Sequence, residues 1–126
     1  MRWASIVVAL SAVSPAYAQE LSGNTLYEQC ISPKGQGFCY GFVTGVTMGI
    51  QAGTAYSLTT LGHADESNVI DLTYRATGYC APVRGGTFFQ LMDVVVDYLA
   101  RNPQERHEPA FSLVHSALRE AFPCSH

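Results

Sequence analysis

Phe38-Cys39-Tyr40-Gly41-Phe42-Val43-Thr44-Gly45-Val46-Thr47-Met48-Gly49-Ile50-Gln51-Ala52-Gly53-Thr54-Ala55-Tyr56 contains no charged side chain and is long enough for about five helical turns. Its glycines, Gly41, Gly45, Gly49 and Gly53, recur every four residues, which on a helix places them on one slowly drifting stripe. Each interior glycine costs a helix about 1 kcal/mol relative to alanine, so the stripe predicts that another backbone packs closely against it. Membrane helices also pair through such stripes. Here Thr44, Thr47, Gln51 and Thr54 dilute the hydrophobicity. The stretch therefore reads as a buried helix at the centre of a small domain rather than as a membrane span.

On the N-terminal side, residues 21–30 have the pattern of a short first helix, with Asn24 or Thr25 as its cap, and residues 32–37 are a loop by their turn residues. On the C-terminal side, residues 57–79 are undecided. Residues 62–68 are polar and turn-like, and Ile70, Leu72 and Tyr74 alternate with polar residues as in a short strand or a frayed helix. The last third is more regular. Gly85-Gly86 is a breaker, and Thr87 with Gln90 forms a capping box. Phe88, Leu91, Val95, Tyr98 and Leu99 then keep the spacing of a buried helical face. Asp97 is placed to pair with Arg101 one turn on, and Asn102-Pro103 ends the helix. A final helix starts near Pro109, with Ala110, Phe111, Val114, Ala117, Leu118 and Ala121 on one face, and stops at Pro123. The expected fold is all-α, a single-domain bundle of about four helices.

The chain has 126 residues, too few for two domains, with 48% apolar and 13% charged side chains. Such a composition is too apolar for a disordered chain. Ten acids against seven bases lack the positive surplus that nucleic-acid binding needs. Part of the apolar content lies in the first 18 residues. Arg2 is a short positive region, residues 3–13 are apolar or small, and Ala16-Tyr17-Ala18 suits signal peptidase. Residues 1–18 read as a signal peptide cleaved before Gln19, leaving a 19–126 domain with six bases and ten acids. Its apolar region is too short to span a bilayer, which argues against a retained anchor; with residues 38–56 read as a buried core helix, no membrane insertion of the mature chain is expected.

Export makes two disulfides among Cys30, Cys39, Cys80 and Cys124 the expected state. Their gaps match neither a zinc site nor a redox motif. An antiparallel four-helix arrangement would pair Cys30 with Cys39 and Cys80 with Cys124. The alternative, Cys39–Cys80 with Cys30–Cys124, closes larger loops, and the chain-entropy argument favours it. The histidines, His63, His107, His115 and His126, form no close metal pair. His115 sits one position beyond the apolar face of the last helix and reads as a boundary residue. No nucleophile elbow, phosphate loop or dinucleotide fingerprint occurs. No catalytic residues, metal site or cofactor are expected, and the chain reads as no enzyme.

The order of the motifs is informative. Phe38-Cys39-Tyr40-Gly41-Phe42-Val43-Thr44-Gly45, Cys80-Ala81-Pro82, the run from Gln90 through Val94-Val95-Val96-Asp97-Tyr98-Leu99, and Ala121-Phe122-Pro123-Cys124 together resemble the Rap/Tai immunity proteins, named for protection against amidase toxins of the type VI secretion system. The resemblance spans nearly the whole mature chain. Gly49 and Gly53 extend the stripe beyond the family block, and residues 57–79 match no block of the family.

The resemblance implies a small helical periplasmic protein that binds a peptidoglycan amidase, in a family whose members often dimerise. Steric occlusion of the toxin, with no chemistry by this chain, is the mechanism it implies. The polar turn at His63, Asp65 and Glu66 is the candidate contact. A second reading is a periplasmic structural or acid-stress chaperone-like protein with no toxin partner; a third is a membrane oligomer built on the glycine stripe.

Overall fold

Helix α1 (Gly23–Ile31) starts where an extended segment ends. Ser22, with extended backbone, forms an isolated antiparallel bridge with Pro109. Gly23 N donates to Glu108 O at 2.9 Å, and Ala110 N donates to Leu21 O at 2.7 Å. Ser22 Oγ then accepts from Thr25 N. The cap is therefore Ser22, not Asn24 or Thr25, because tertiary pairing to the segment before the last helix fixes where extended chain turns helical. The computed structural model describes residues 20–80 and 88–125. The expected signal peptide, the Gly85-Gly86 breaker and the Thr87 half of the capping box lie outside them.

The stripe-bearing helix, α2 (Gln36–Thr60), is 25 residues long, about 37 Å. Helix α3 (Val69–Thr77) follows an eight-residue turn and ends on Gly78, whose φ of 75° is the left-handed conformation of a C-cap. Helix α4 (Phe88–Arg101) leads through a 3-10 turn at Pro103–Glu105 to α5 (Ala110–Ala121). Pro109 is the residue before α5 rather than its first. The fold is all-α as the patterning predicts. Its extra helix, α3, resolves the undecided stretch, in which the alternation of Ile70, Leu72 and Tyr74 hides a helical turn.

The core lies where α1, α2, α4 and α5 meet: Leu26 and Cys30, Cys39 and Val43, Leu91, Val95 and Leu99, and Leu113, Val114 and Leu118 are all buried. Each fully buried aliphatic side chain contributes roughly 1.5–3 kcal/mol. Phe88 is half-buried, whereas Phe111 and Ala121 are exposed. Leu113 takes the place that Phe111 was expected to hold on the inner face of α5. Tyr79, which follows α3 in the chain, is fully buried, and its hydroxyl donates to Thr47 O of α2 at 3.2 Å. Burial pushes that phenol up to about 12. Its ring meets His115 edge-on, and His115 Nε2 lies 2.8 Å from Thr77 O, at the boundary where its spacing puts it. Arg106 closes α4: its guanidinium donates to Leu99 O at 2.6 Å and lies 3.7 Å over the Tyr27 ring. A cation is favoured at that helix end, where carbonyls lack partners.

The disulfides are Cys30–Cys39 and Cys80–Cys124, not the larger-loop pairing that chain entropy favours. A short turn joins α1 to α2 and sets Cys30 and Cys39 with their Cα atoms 5.0 Å apart. Cys80 N donates to Phe122 O at 2.8 Å, which lays the start of the 80s segment beside the end of α5. Loop entropy acts on the unfolded ensemble; which sulfurs meet is decided by the packing of the folded chain.

The glycine stripe is a second correction. A Cβ added at Gly41, Gly45, Gly49 or Gly53 would meet nothing within 4 Å, and all four are exposed. The inner face of α2 carries another four-residue repeat, Cys39, Val43 and Thr47. Two repeats of equal spacing share the helix, and the one bearing side chains is buried because it has apolar surface to bury. Close approach occurs elsewhere. At Gly35 a Cβ would collide with the Gln29 backbone, and at Gly23 with the Leu113 side chain, with Arg106 O at 3.0 Å.

Candidate partner-binding surface

Helix α2 outlasts the core that supports it. Its three buried residues all lie in its first half, and none is buried from Met48 onward. Helix α3 packs chiefly on α2. The second half of α2, the turn after it and α3 thus form an arm whose two helices mainly support each other.

The α2 side of this arm is apolar where a solvated surface would be charged. No residue of α2 carries a charge. Met48, Tyr56, Leu61 and Ile70 are 54%, 70%, 70% and 66% exposed. Its hydroxyls bond back to their own helix: Ser57 Oγ donates to Gly53 O and Thr60 Oγ1 to Tyr56 O, both at 2.8 Å. An exposed apolar surface of this kind marks an interaction site more often than a free one. The glycine stripe runs along its outer side, between Phe38 and Tyr56, with no Cβ to hold a partner away.

The turn at the tip carries the three residues expected to make contact. His63, Asp65 and Glu66 are exposed together there, but they are not equivalent. The Asp65 carboxylate accepts from Ser67 Oγ and from Ser67 N, the latter at 2.8 Å. Those bonds, the side-chain one foremost, hold its pKa below the ordinary carboxylate value. Asp65 therefore shapes the turn that starts α3. His63 and Glu66 have no side-chain hydrogen bond or ion pair among the described residues and are free to meet a partner.

A cavity of about 230 Å³ lies between the two helices of the arm, walled by Gln51, Ala55, Val69, Ile70, Thr73 and Tyr74. Tyr56, Leu61, Ile70 and this cavity escape sequence reasoning because α3 itself is ambiguous there. The absence of charge from α2 was the signal that could have found them. Exposed ion pairs lie on α3, where Arg75 bonds Asp71 at 2.9 Å, and on the α4–α5 side, where Arg101 bonds Asp97 at 2.8 Å and Glu120 at 2.9 Å. The Asp97–Arg101 pair is the one expected from the spacing.

Among the described residues, no group of three or more His, Cys, Asp or Glu side chains is placed to hold a metal ion, and no helix is long and apolar enough to cross a membrane. All four cysteines are in disulfides. What the arm offers is shape and apolar area for another protein. Residues 22–124 match a family model described as Rap1a immunity proteins. No curated protein and no solved structure matches the chain.

Proposed function

The chain belongs to the Rap1a immunity proteins, and from that premise we propose that it is exported to the periplasm and neutralises a peptidoglycan amidase toxin of the type VI secretion system by occupying its active-site cleft. Membership implies a protein partner, a toxin; immunity proteins are generally not enzymes. The observation that carries the reading further is the arm: an uncharged helix with exposed Met48, Tyr56 and Leu61, backed by α3. A protruding apolar ridge is the shape that fills a cleft. The tip bearing His63 and Glu66 enters first, with Asp65 holding its conformation. Two disulfides and the leader pattern of residues 1–18 support export.

The test is affinity capture from a periplasmic extract of a cell expressing candidate amidase effectors, followed by peptidoglycan hydrolysis with and without the protein. Inhibition at one-to-one stoichiometry is the expected result. Capture of an active, uninhibited hydrolase would reject occlusion. Glu66→Lys with His63→Glu should weaken the complex at least tenfold; unchanged affinity would move the contact away from the tip.

A further inference from the structure

We propose that Cys80–Cys124 is a thiol–disulfide exchange site, opened by an external dithiol whose attacking thiolate is favoured by Arg119, and that its opening unlatches the root of the arm. The exchange rests on the surroundings of the two sulfurs. Its use to regulate toxin capture rests on the role proposed above.

The first observation is a difference in burial. Cys30 and Cys39 are 4% and 0% exposed, within the core, whereas Cys80 and Cys124 are both half-buried. Exchange needs a thiolate to reach a sulfur, and accessible disulfides are the labile ones. The core pair is closed to attack in the folded protein. The second observation is access. Cys124 lines an open groove of about 610 Å³, together with Arg75, Arg119 and Glu120. Arg75 is paired with Asp71 and Glu120 with Arg101, each at 2.9 Å. Arg119 has no hydrogen bond or ion pair among the described residues. A Cβ on Gly78 would meet its Nε at 3.0 Å, so this uncommitted cation lies against the cap of α3, two residues before Cys80. A cation beside a disulfide favours both the thiolate that arrives and the one that leaves.

The third observation is what the bond holds. Cys80 lies just past the Gly78 cap of α3, and Cys124 Sγ is 3.7 Å from Tyr74 O in the last turn of that helix. The disulfide therefore clamps the root of α3 to the end of α5, while the rest of α3 packs chiefly on α2. Once the sulfurs part, the root is tied to α5 by the Cys80 N–Phe122 O and His115 Nε2–Thr77 O contacts, each at 2.8 Å, and by the ring contact of Tyr79 with His115. A dithiol carries the two electrons the step requires. One of its thiolates attacks Cys124 Sγ, forming a mixed disulfide, and the electron pair of the broken S–S bond leaves on Cys80. The reductant's second thiolate then attacks its first sulfur and releases Cys124. The two cysteines take up two protons, and the reductant departs oxidised to its own disulfide.

The experiment treats the oxidised wild-type protein with dithiothreitol, traps free thiols with iodoacetamide at intervals and maps them by mass spectrometry. Cys80 and Cys124 should be alkylated together, at least about a hundredfold faster than Cys30 and Cys39, because the core pair waits for an opening of the fold. Arg119→Glu should slow the first phase at least about threefold at low salt, a difference that high salt removes. NMR relaxation of the protein reduced at Cys80–Cys124 alone should show new motion along α3 as far as Val69, with α1 unchanged. Equal rates for the two disulfides, earlier opening of Cys30–Cys39, an unchanged rate in Arg119→Glu, or motion confined to residues beside the two sulfurs would each overturn the proposal. None of these measurements involves the toxin. A failed selective reduction leaves the immunity role standing, and a failed capture leaves the exchange site standing.

Discussion

Replacing Gly45 and Gly49 by alanine should make this protein more stable, although their spacing suggests a packing contact. Both sit inside α2, are exposed, and offer a new Cβ nothing within 4 Å to strike. Neither has a positive φ, so alanine adopts the same backbone without strain. Alanine then gains the helix-propensity difference of about 0.5–1 kcal/mol at each site, or roughly 1–2 kcal/mol for the pair. In a domain of this size that raises Tm by at least about 4 °C. The measurement is urea unfolding of the oxidised protein at several concentrations, read by circular dichroism. The midpoint should rise with the slope unchanged, by the same amount at every concentration. A fall in the midpoint would refute the reasoning, because it would mean that some backbone lies against the stripe. If the fall grows with protein concentration, that backbone belongs to a second copy, as in the dimers expected from the family resemblance.

Other outcomes follow from the same geometry. Cys80→Ser with Cys124→Ser, opening a separation of 44 residues, should cost about 4 kcal/mol, and Cys30→Ser with Cys39→Ser, opening 9, about 3 kcal/mol on chain-entropy scaling. Denaturant curves showing the reverse order would place the dominant effect in the native state instead. Gly35→Ala drives a methyl into the Gln29 backbone and should destabilise by about 1–3 kcal/mol, whereas an unchanged midpoint would mean the α1–α2 turn yields freely. Because Asp65 has its pKa lowered on folding, its contribution is fully present above the ordinary carboxylate pKa and is lost as pH falls through the lower folded value. Ser67→Ala should move the Asp65 titration, followed by carbon-13 NMR, back up toward the ordinary value; no movement would show that the Ser67 hydroxyl is not the cause.

The last third of the chain was readable because its signals are redundant. In α4, Leu91, Val95, Tyr98 and Leu99 keep one period, and Asn102-Pro103 stops it. Helix α2 was readable in its existence but not in its orientation. Cys39, Val43 and Thr47 repeat every four residues as the glycines do, and periodicity alone does not say which stripe faces inward. Helix α3 was obscured because nine residues span barely two and a half turns, within which a period of two and a period of 3.6 place many of the same residues. The disulfide pairing is not legible from loop length, because loop entropy acts on the unfolded ensemble whereas native packing decides which sulfurs meet. The tip was legible as polar, but not the division of labour within it, since only the folded turn reveals that Ser67 bonds Asp65.

The Cys80–Cys124 bond also changes how the protein responds to force. Stretched from its two ends, the oxidised chain carries tension straight across those two sulfurs, and α4 and α5 lie on a slack branch that bears none of it. A separation of 44 residues, at about 3.5 Å each, removes roughly 150 Å from the length that pulling can release. Among the described residues, helices α1, α2 and α3 are thus the ones that carry a mechanical load until the disulfide is reduced.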